Sequence, residues 1–362
     1  MTASPLDTLR ARIDGLDDQL LQLLEARASL VGQVAEAKRA LGVALWDPAR
    51  ERALLERLAQ RASGHFPPAA LQAVYREIMS ACLALQEPHR VAFLGPEGTF
   101  THAAARELFG LAVSYVGVAT IDGVFDSVRR ADVLYGVVPI ENSTEGAVST
   151  TTDALLDGGV VIREERVAPI AQALATRARS LTEIDTVISH PQGLAQCRGW
   201  LSRNLTNVRW VQAPSTAQAV RDALNDPRSA AIASRLAAEL NGLPVLNASI
   251  QDREDNATRF VVLARDDAPA RPPTGRCKTT LAFTLADEGE RGALRRALQL
   301  FDDEGLNLVR VESRPSRQQA WRYAFVVDIE GHREDPAVSR ALERLEAHAT
   351  QVRVLGSYAT SG

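Results

Sequence analysis

The chain has 362 residues, enough for two or three domains, and an apolar fraction of 46% that can build sizeable cores. Its formal net charge of −4 gives no electrostatic reason to expect nucleic acid, and no apolar run reaches the length of a membrane span. Three cysteines without a C-x-x-C and six histidines without metal-ligand spacing suggest neither a disulfide framework nor a zinc site.

The N-terminus, MTASPLDTLR, has no apolar signal core, so a cytoplasmic protein is expected. Apolar residues at Leu6, Leu9, Ile13, Leu16, Leu20, Leu23, Leu30, Val34, Ala37 and Leu41 alternate in steps of three and four. That is the rhythm of a helix packed along another helix. The slot between Leu23 and Leu30 holds Arg27. A guanidinium in such a seam is costly to bury unless an anion pairs with it. Taken alone, it reads as a register-setting residue or the partner of a nearby Glu. Lys38 faces the same way, roughly 16 Å further along the axis. Arg10 lies on another face, so it serves the same anion only from a second copy of the helix. From Leu6 to Leu41 the helix spans roughly 50 Å, too long to bury against its own short domain. An intertwined dimer accounts for both features. Gly42 closes this helix. Asp47-Pro48 opens a second helix running to about Ser63. A turn at Gly64 to Pro68 leads to a third helix ending near Gln86, and Glu87-Pro88 marks a boundary.

A second module, 90–267, changes rhythm. Apolar runs such as VAFLG, YGVVP, TVIS and RFVVLA alternate with helical stretches, an α/β pattern with largely parallel strands. Four motifs stand out: GPEGTFTH (95–102), PIENSTEG (139–146), SHPQGLAQC (189–197) and NATRF (256–260). The first couples a glycine turn to a helix start, a natural anion cradle. The second and third place polar residues beyond strand C-termini, where open α/β sheets bind ligands. Singly, Ser189, Thr216 and Thr101 read as helix caps and Arg259 as a structural ion pair. The segment APARPPTG (268–275) reads as a linker. A third module, 277–358, reads β-α-β-β-α-β, the ferredoxin-like order.

The polar residues of the first module (1–88) resemble the site of the all-helical chorismate mutases. That resemblance implies that Arg10 from a partner chain, Arg27 and Arg50 organise the carboxylates of chorismate. Asp47 and Glu51 then hold its hydroxyl, and Lys38 and Gln86 donate to the ether oxygen. Cys82 stands where a relative has Ser. The reaction is a pericyclic rearrangement to prephenate, needing no nucleophile. The four motifs of the second module resemble prephenate dehydratase, a pair of α/β subdomains hinged around a cleft like type II periplasmic binding proteins. The chain is expected to leave the first subdomain near 168 and to return after about 250. Thr258 is implied to assist departure of the prephenate hydroxyl. Glu141, Asn142, Ser189, Gln196 and Thr99 are implied to bind substrate, and Arg259 to supply charge or shape the cleft. The third module resembles an ACT domain. Its marks are Gly292-Ala293-Leu294, Asn307 and Glu312-Ser313-Arg314-Pro315, and the implied effector is L-phenylalanine.

The resemblance thus implies a bifunctional, cofactor-free homodimer that makes phenylpyruvate from chorismate and is inhibited by phenylalanine. It implies neither metal, nucleic acid nor membrane. Two rival readings stand beside it: a non-enzymatic amino-acid sensor, and a dehydratase acting on arogenate.

Overall fold

A computed structural model describes residues 4–62, 64–87, 89–269, 275–286, 290–315 and 322–360. They fall into two compact units, the first holding the chain up to His89 together with Phe109–Ser114, the second holding most of the remainder.

The first unit is helical. Helix α1, Pro5–Leu41, starts at a reciprocal cap in which Asp7 N donates to Ser4 Oγ at 3.2 Å and Ser4 N to Asp7 Oδ2 at 3.3 Å. It ends at Gly42, which takes the left-handed conformation. Helix α2, Pro48–Arg61, is capped by Asp47, whose Oδ1 accepts from Arg50 N at 3.1 Å. Helix α3 is Pro68–Gln86. Ser63 and Pro88, where the second helix and the module were expected to end, lie outside the described residues. Within α1 only Ala35 is buried, and the leucines of the seam stay exposed.

The second unit begins with a lobe of strands β1 (Arg90–Leu94), β2 (Ser114–Val118), β3 (Tyr135–Asn142), β4 (Gly146–Ala147) and β5 (Val160–Pro169). Its helices are α4 (Phe100–Phe109), α5 (Ile121–Arg129) and α6 (Ser149–Asp157). After Pro169 the chain builds a second lobe. Its strands are β6 (Ala173–Thr176), β7 (Thr186–Ser189), β8 (Arg209–Gln212), β9 (Ser229–Ala233) and β10 (Val245–Asn247). Its helices are α7 (Pro191–Gln196), α8 (Arg198–Asn204), α9 (Thr216–Ala223) and α10 (Arg235–Leu240). The chain then returns through β11, Ala257–Arg265. This two-lobed α/β architecture is the one expected.

The strands are less parallel than the sequence suggested. β1–β3, β7–β8 and β7–β9 are parallel, but β11 runs antiparallel to both β3 and β5, and β6 antiparallel to β9 and β10. The physical reason is the return from the second lobe: β11 re-enters from the cleft end and must run against its neighbours. It is buried on both faces from Thr258 to Ala264, and a continuous apolar run cannot reveal strand direction.

The last part comprises β12 (Cys277–Leu285), α11 (Ala293–Asp303), β13 (Leu308–Pro315), β14 (Tyr323–Glu330), α12 (Pro336–Glu346) and β15 (Ala349–Ala359). Its strand order, β13-β14-β12-β15, is ferredoxin-like. β15 also pairs in parallel with β5 at Gly356 and Ile162, so one sheet runs on from the ferredoxin-like domain into the first lobe. A Cβ at Gly356 would lie 2.5 Å from Ile162 O, so only glycine permits this junction. Residues 270–274 of the linker lie outside the described residues.

Candidate active sites

Between the two lobes lies a cavity of about 400 Å³. Leu94, Phe100, Val148, Ile170 and Phe260 supply apolar wall, and Thr99, Asn142, Gln172, His190, Gln196 and Thr258 the polar groups. No lysine or arginine lines it among the described residues. The first residues of α4 and α9 do line it, so two helix N-termini bring partial positive charge to the cavity.

Thr258 is the chemically distinctive group. Strand β11 sets it opposite Asn142 of β3. The Asn142 amide has a fixed orientation, because its Oδ1 accepts from Thr144 N at 2.9 Å and Glu145 N at 3.1 Å. Its Nδ2 therefore faces Thr258 Oγ1, to which it donates at 2.8 Å, and Asn256 Oδ1 at 3.0 Å. Thr258 thus receives a hydrogen bond from Asn142. No described side chain accepts its hydroxyl proton, which is left for a ligand.

The other expected residues divide. Thr99 lines the cavity and caps α4, donating to Leu94 O at 3.0 Å and accepting from His102 N at 3.3 Å. Gln196 lines it and accepts from Gln172 Nε2 at 3.0 Å. Ser189 does not line it: fully buried, it donates to Ile232 O at 2.7 Å. Glu141 is also absent from the wall and lies 3.5 Å from Arg259. Arg259 is buried on the opposite face of the sheet and ion-paired to Glu165 and Asp328. As caps, Ser189, Thr216 and Thr101 are all displaced: α7 is capped by His190, α9 by Ser215, and Thr101 lies inside α4. The cap signal was right in kind and wrong by one or two positions.

One cavity group, Gln172, lies outside every sequence motif. Gln172 is 3% exposed, directly after the lobe crossing, with Oε1 unpaired among the described residues. Gln192 of the second lobe donates to Glu145 of the first, and Ser234 Oγ donates to Gly98 O at 2.5 Å. These bonds join the lobes on either side of the cleft. His102 beneath the wall has its pKa lowered, chiefly by burial and then by Arg106. Burial pushes the Cys197 thiol up to about 12, so it stays protonated.

In the helical unit, Arg27 Nη1 donates to Cys82 Sγ, and Lys38 Nζ to Leu45 O at 2.7 Å. Arg39 donates to Gln86 O, while Gln86 Oε1 is buried and unpaired among the described residues. Asp47 is occupied as the cap of α2, Arg50 is exposed and Glu51 half-buried. Arg10 is exposed, 3.8 Å from Asp7, and does not join Arg27 within one protomer.

In the ferredoxin-like domain, Gly292 sits in the left-handed region before α11, followed by half-buried Ala293 and Leu294. Asn307 and Ser313 are exposed, as is Pro315. Glu312 and Arg314 are engaged with α6: Thr152 Oγ1 donates to Glu312 at 3.1 Å, and Arg314 donates twice to Asp153 at 2.8 Å.

A two-lobed α/β cleft, joined in one chain to a helical unit with an arginine in its seam and to a ferredoxin-like domain, defines a class of three-module proteins. Family models agree: chorismate mutase type II matches residues 9–87, prephenate dehydratase 91–268 and the ACT domain 283–347. The bifunctional chorismate mutase/prephenate dehydratase of Aquifex aeolicus is 43% identical over 98% of this chain and 97% of its own length. That of Pseudomonas aeruginosa is 41% identical over 98% and 97%. The prephenate dehydratase of Arthrobacter aurescens, solved in complex with L-Phe, is 37% identical with a TM-score of 0.68, covering 75% of this chain and 90% of that one. The chain belongs to the bifunctional chorismate mutase/prephenate dehydratase family.

Proposed function

We propose that the chain rearranges chorismate to prephenate on its helical domain (1–88) and converts prephenate to phenylpyruvate in the cleft (90–267), under control of L-phenylalanine bound at the third domain (277–358). The observation that carries the cleft chemistry is the Thr258 hydroxyl, held by Asn142 and with its proton free toward the cavity.

The reaction breaks the bond between C1 and its carboxylate, releasing carbon dioxide. The electron pair moves through the ring and expels the C4 hydroxyl as hydroxide, which takes up a proton from solvent to become water. Negative charge therefore moves from the carboxylate to the departing oxygen. A guanidinium on that carboxylate would oppose its loss, and none lines the cavity among the described residues. A fixed donor at the oxygen assists, and Thr258 is that donor. Thr99, Asn142 and Gln196 shape the site with the N-termini of α4 and α9, which suit the substrate carboxylates. Glu141 and Ser189 support it from behind. Glu145 is the one carboxylate in the wall among the described residues and is engaged by Gln192. Preference for prephenate over arogenate is supported by the prephenate dehydratase family model and the relatives named above.

In the helical domain, Arg27, Lys38, Arg50 and Gln86, with Asp47 and Glu51, bind chorismate, and Arg10 comes from the second chain of a homodimer. The exposed leucine seam of α1 supports that assembly. Gly292, Ala293, Leu294, Asn307 and Glu312 to Pro315 form the effector region. No described helix is long and apolar enough to cross a membrane, which agrees with a cytoplasmic enzyme.

The test is Thr258→Ala against Thr258→Ser with prephenate as substrate. Alanine should lower dehydratase turnover by about 10²-fold, with serine recovering much of it. An unchanged rate in the alanine variant would remove Thr258 from the chemistry.

A further inference from the structure

Neighbouring residues of a strand point to opposite faces of its sheet. Thr258 faces the cavity; Arg259 turns to the other side and is 8% exposed. Each guanidinium nitrogen has a partner. Nε donates to Glu165 Oε2 at 2.7 Å, Nη1 to Asp328 Oδ2 at 2.6 Å and Nη2 to Tyr358 Oη at 2.7 Å. Glu165 is on β5 of the dehydratase lobe. Asp328 and Tyr358 are on β14 and β15 of the ferredoxin-like domain.

The network closes on itself. Thr280 Oγ1 lies 2.7 Å from both Asp328 Oδ1 and Tyr358 Oη, and Lys278 Nζ donates to both Glu165 oxygens at 3.0 Å. Two cations, Arg259 and Lys278, thus face two buried carboxylates, Glu165 and Asp328, with the more exposed Glu141 beside them. Apolar side chains would join two domains with less desolvation, whereas a buried charge network defines one relative position. Arg259 Nη1 also lies 3.5 Å from Glu141 Oε2. Glu141 precedes Asn142, the residue that orients Thr258. One nitrogen therefore lies against both Asp328 of the third domain and the end of β3 that carries Asn142, the residue bonded to Thr258.

We infer that the ferredoxin-like domain supplies positioning residues for the dehydratase reaction: Asp328 and Tyr358 hold Arg259, and through it fix Glu141–Asn142 of β3 and Thr258 of β11. The inference rests on the reading of the cleft as the dehydratase site. It makes the network the route by which a shift of the third domain alters the cleft, because Asp328 and Tyr358 cannot move without taking a partner from a buried Arg259 nitrogen.

The test uses the full-length chain with Asp328→Asn and, as the milder change, Tyr358→Phe, which removes one hydroxyl and keeps the ring. Prephenate turnover, KM, mutase rate and the phenylalanine response are read on the same preparations. Asp328→Asn should lower dehydratase kcat roughly tenfold, Tyr358→Phe a few-fold, with KM and mutase rate changed less than about twofold. In both variants the phenylalanine concentration for half-inhibition should shift by at least threefold, roughly. Normal kcat and normal inhibition in Tyr358→Phe would overturn the inference, as would equal losses of mutase and dehydratase rates, which mark general damage. A wild-type chain inert toward prephenate would instead overturn the reading of the cleft.

Discussion

Arg27 and Thr258 are each explained by what surrounds them. Arg27 occupies an apolar seam slot, reaches Cys82 and shares a helix with Lys38, while the nearby Gln86 keeps a buried oxygen unpaired among the described residues. A dimerisation stalk has no use for that set. Arg27→Ala should therefore lower chorismate turnover by about 10²-fold or more while leaving turnover of supplied prephenate unchanged. Two initial-rate assays on one preparation decide it, and retained mutase activity would take Arg27 out of the site. In the cleft the important detail is which hydrogen-bonding partner Thr258 has. Asn142 donates to it, so the threonine can itself donate outward.

At the scale of elements, two predictions concern how domains and copies meet. Helix α1 leaves Leu16 and Leu20 more than half exposed within one chain. Leu16→Glu with Leu20→Glu should weaken the proposed dimer, read by light scattering. It should cut mutase activity about tenfold more than dehydratase activity, since the proposed mutase site takes Arg10 from a second copy and the proposed dehydratase site does not. Equal retention of both activities in a monomer would contradict an intertwined mutase. Gly292 holds a φ of 80° before α11, a conformation that side chains resist. Gly292→Leu strains that turn and should raise the phenylalanine concentration for half-inhibition by about tenfold. An unchanged inhibition curve would move the effector site elsewhere.

For the whole molecule, acid sensitivity follows from buried imidazoles. His89, His102 and His332 all have lowered pKa values, in each case chiefly through burial. A pKa lower in the folded than in the unfolded chain means stability that is present above the unfolded value and lost as pH falls. The thermal midpoint should thus drop between about pH 7.5 and pH 5.5, across the ordinary imidazole value of roughly 6.5. A midpoint unchanged over that range would show that these groups take up protons without cost. Legibility in the sequence follows the same physics. Helices α1 to α3 were readable because caps and breakers such as Gly42, Asp47 and Pro48 act locally, and the third domain because period-2 and period-3.6 patterns alternate cleanly. Thr258, Asn142, Thr99 and Gln196 were legible as motif residues. The partners of Arg259 were not, because they lie 94, 69 and 99 residues away. No local pattern encodes a contact closed by an antiparallel return strand and by a second domain. Gln172 escaped for the same reason: its meaning depends on two lobes meeting.

The most direct measurement gives the full-length chain chorismate alone and follows phenylpyruvate, with and without phenylalanine. Phenylpyruvate formed without any other addition, and falling as phenylalanine is added, is the predicted result. Untouched chorismate, or prephenate that accumulates without further conversion, would contradict the account of two successive sites under one regulator.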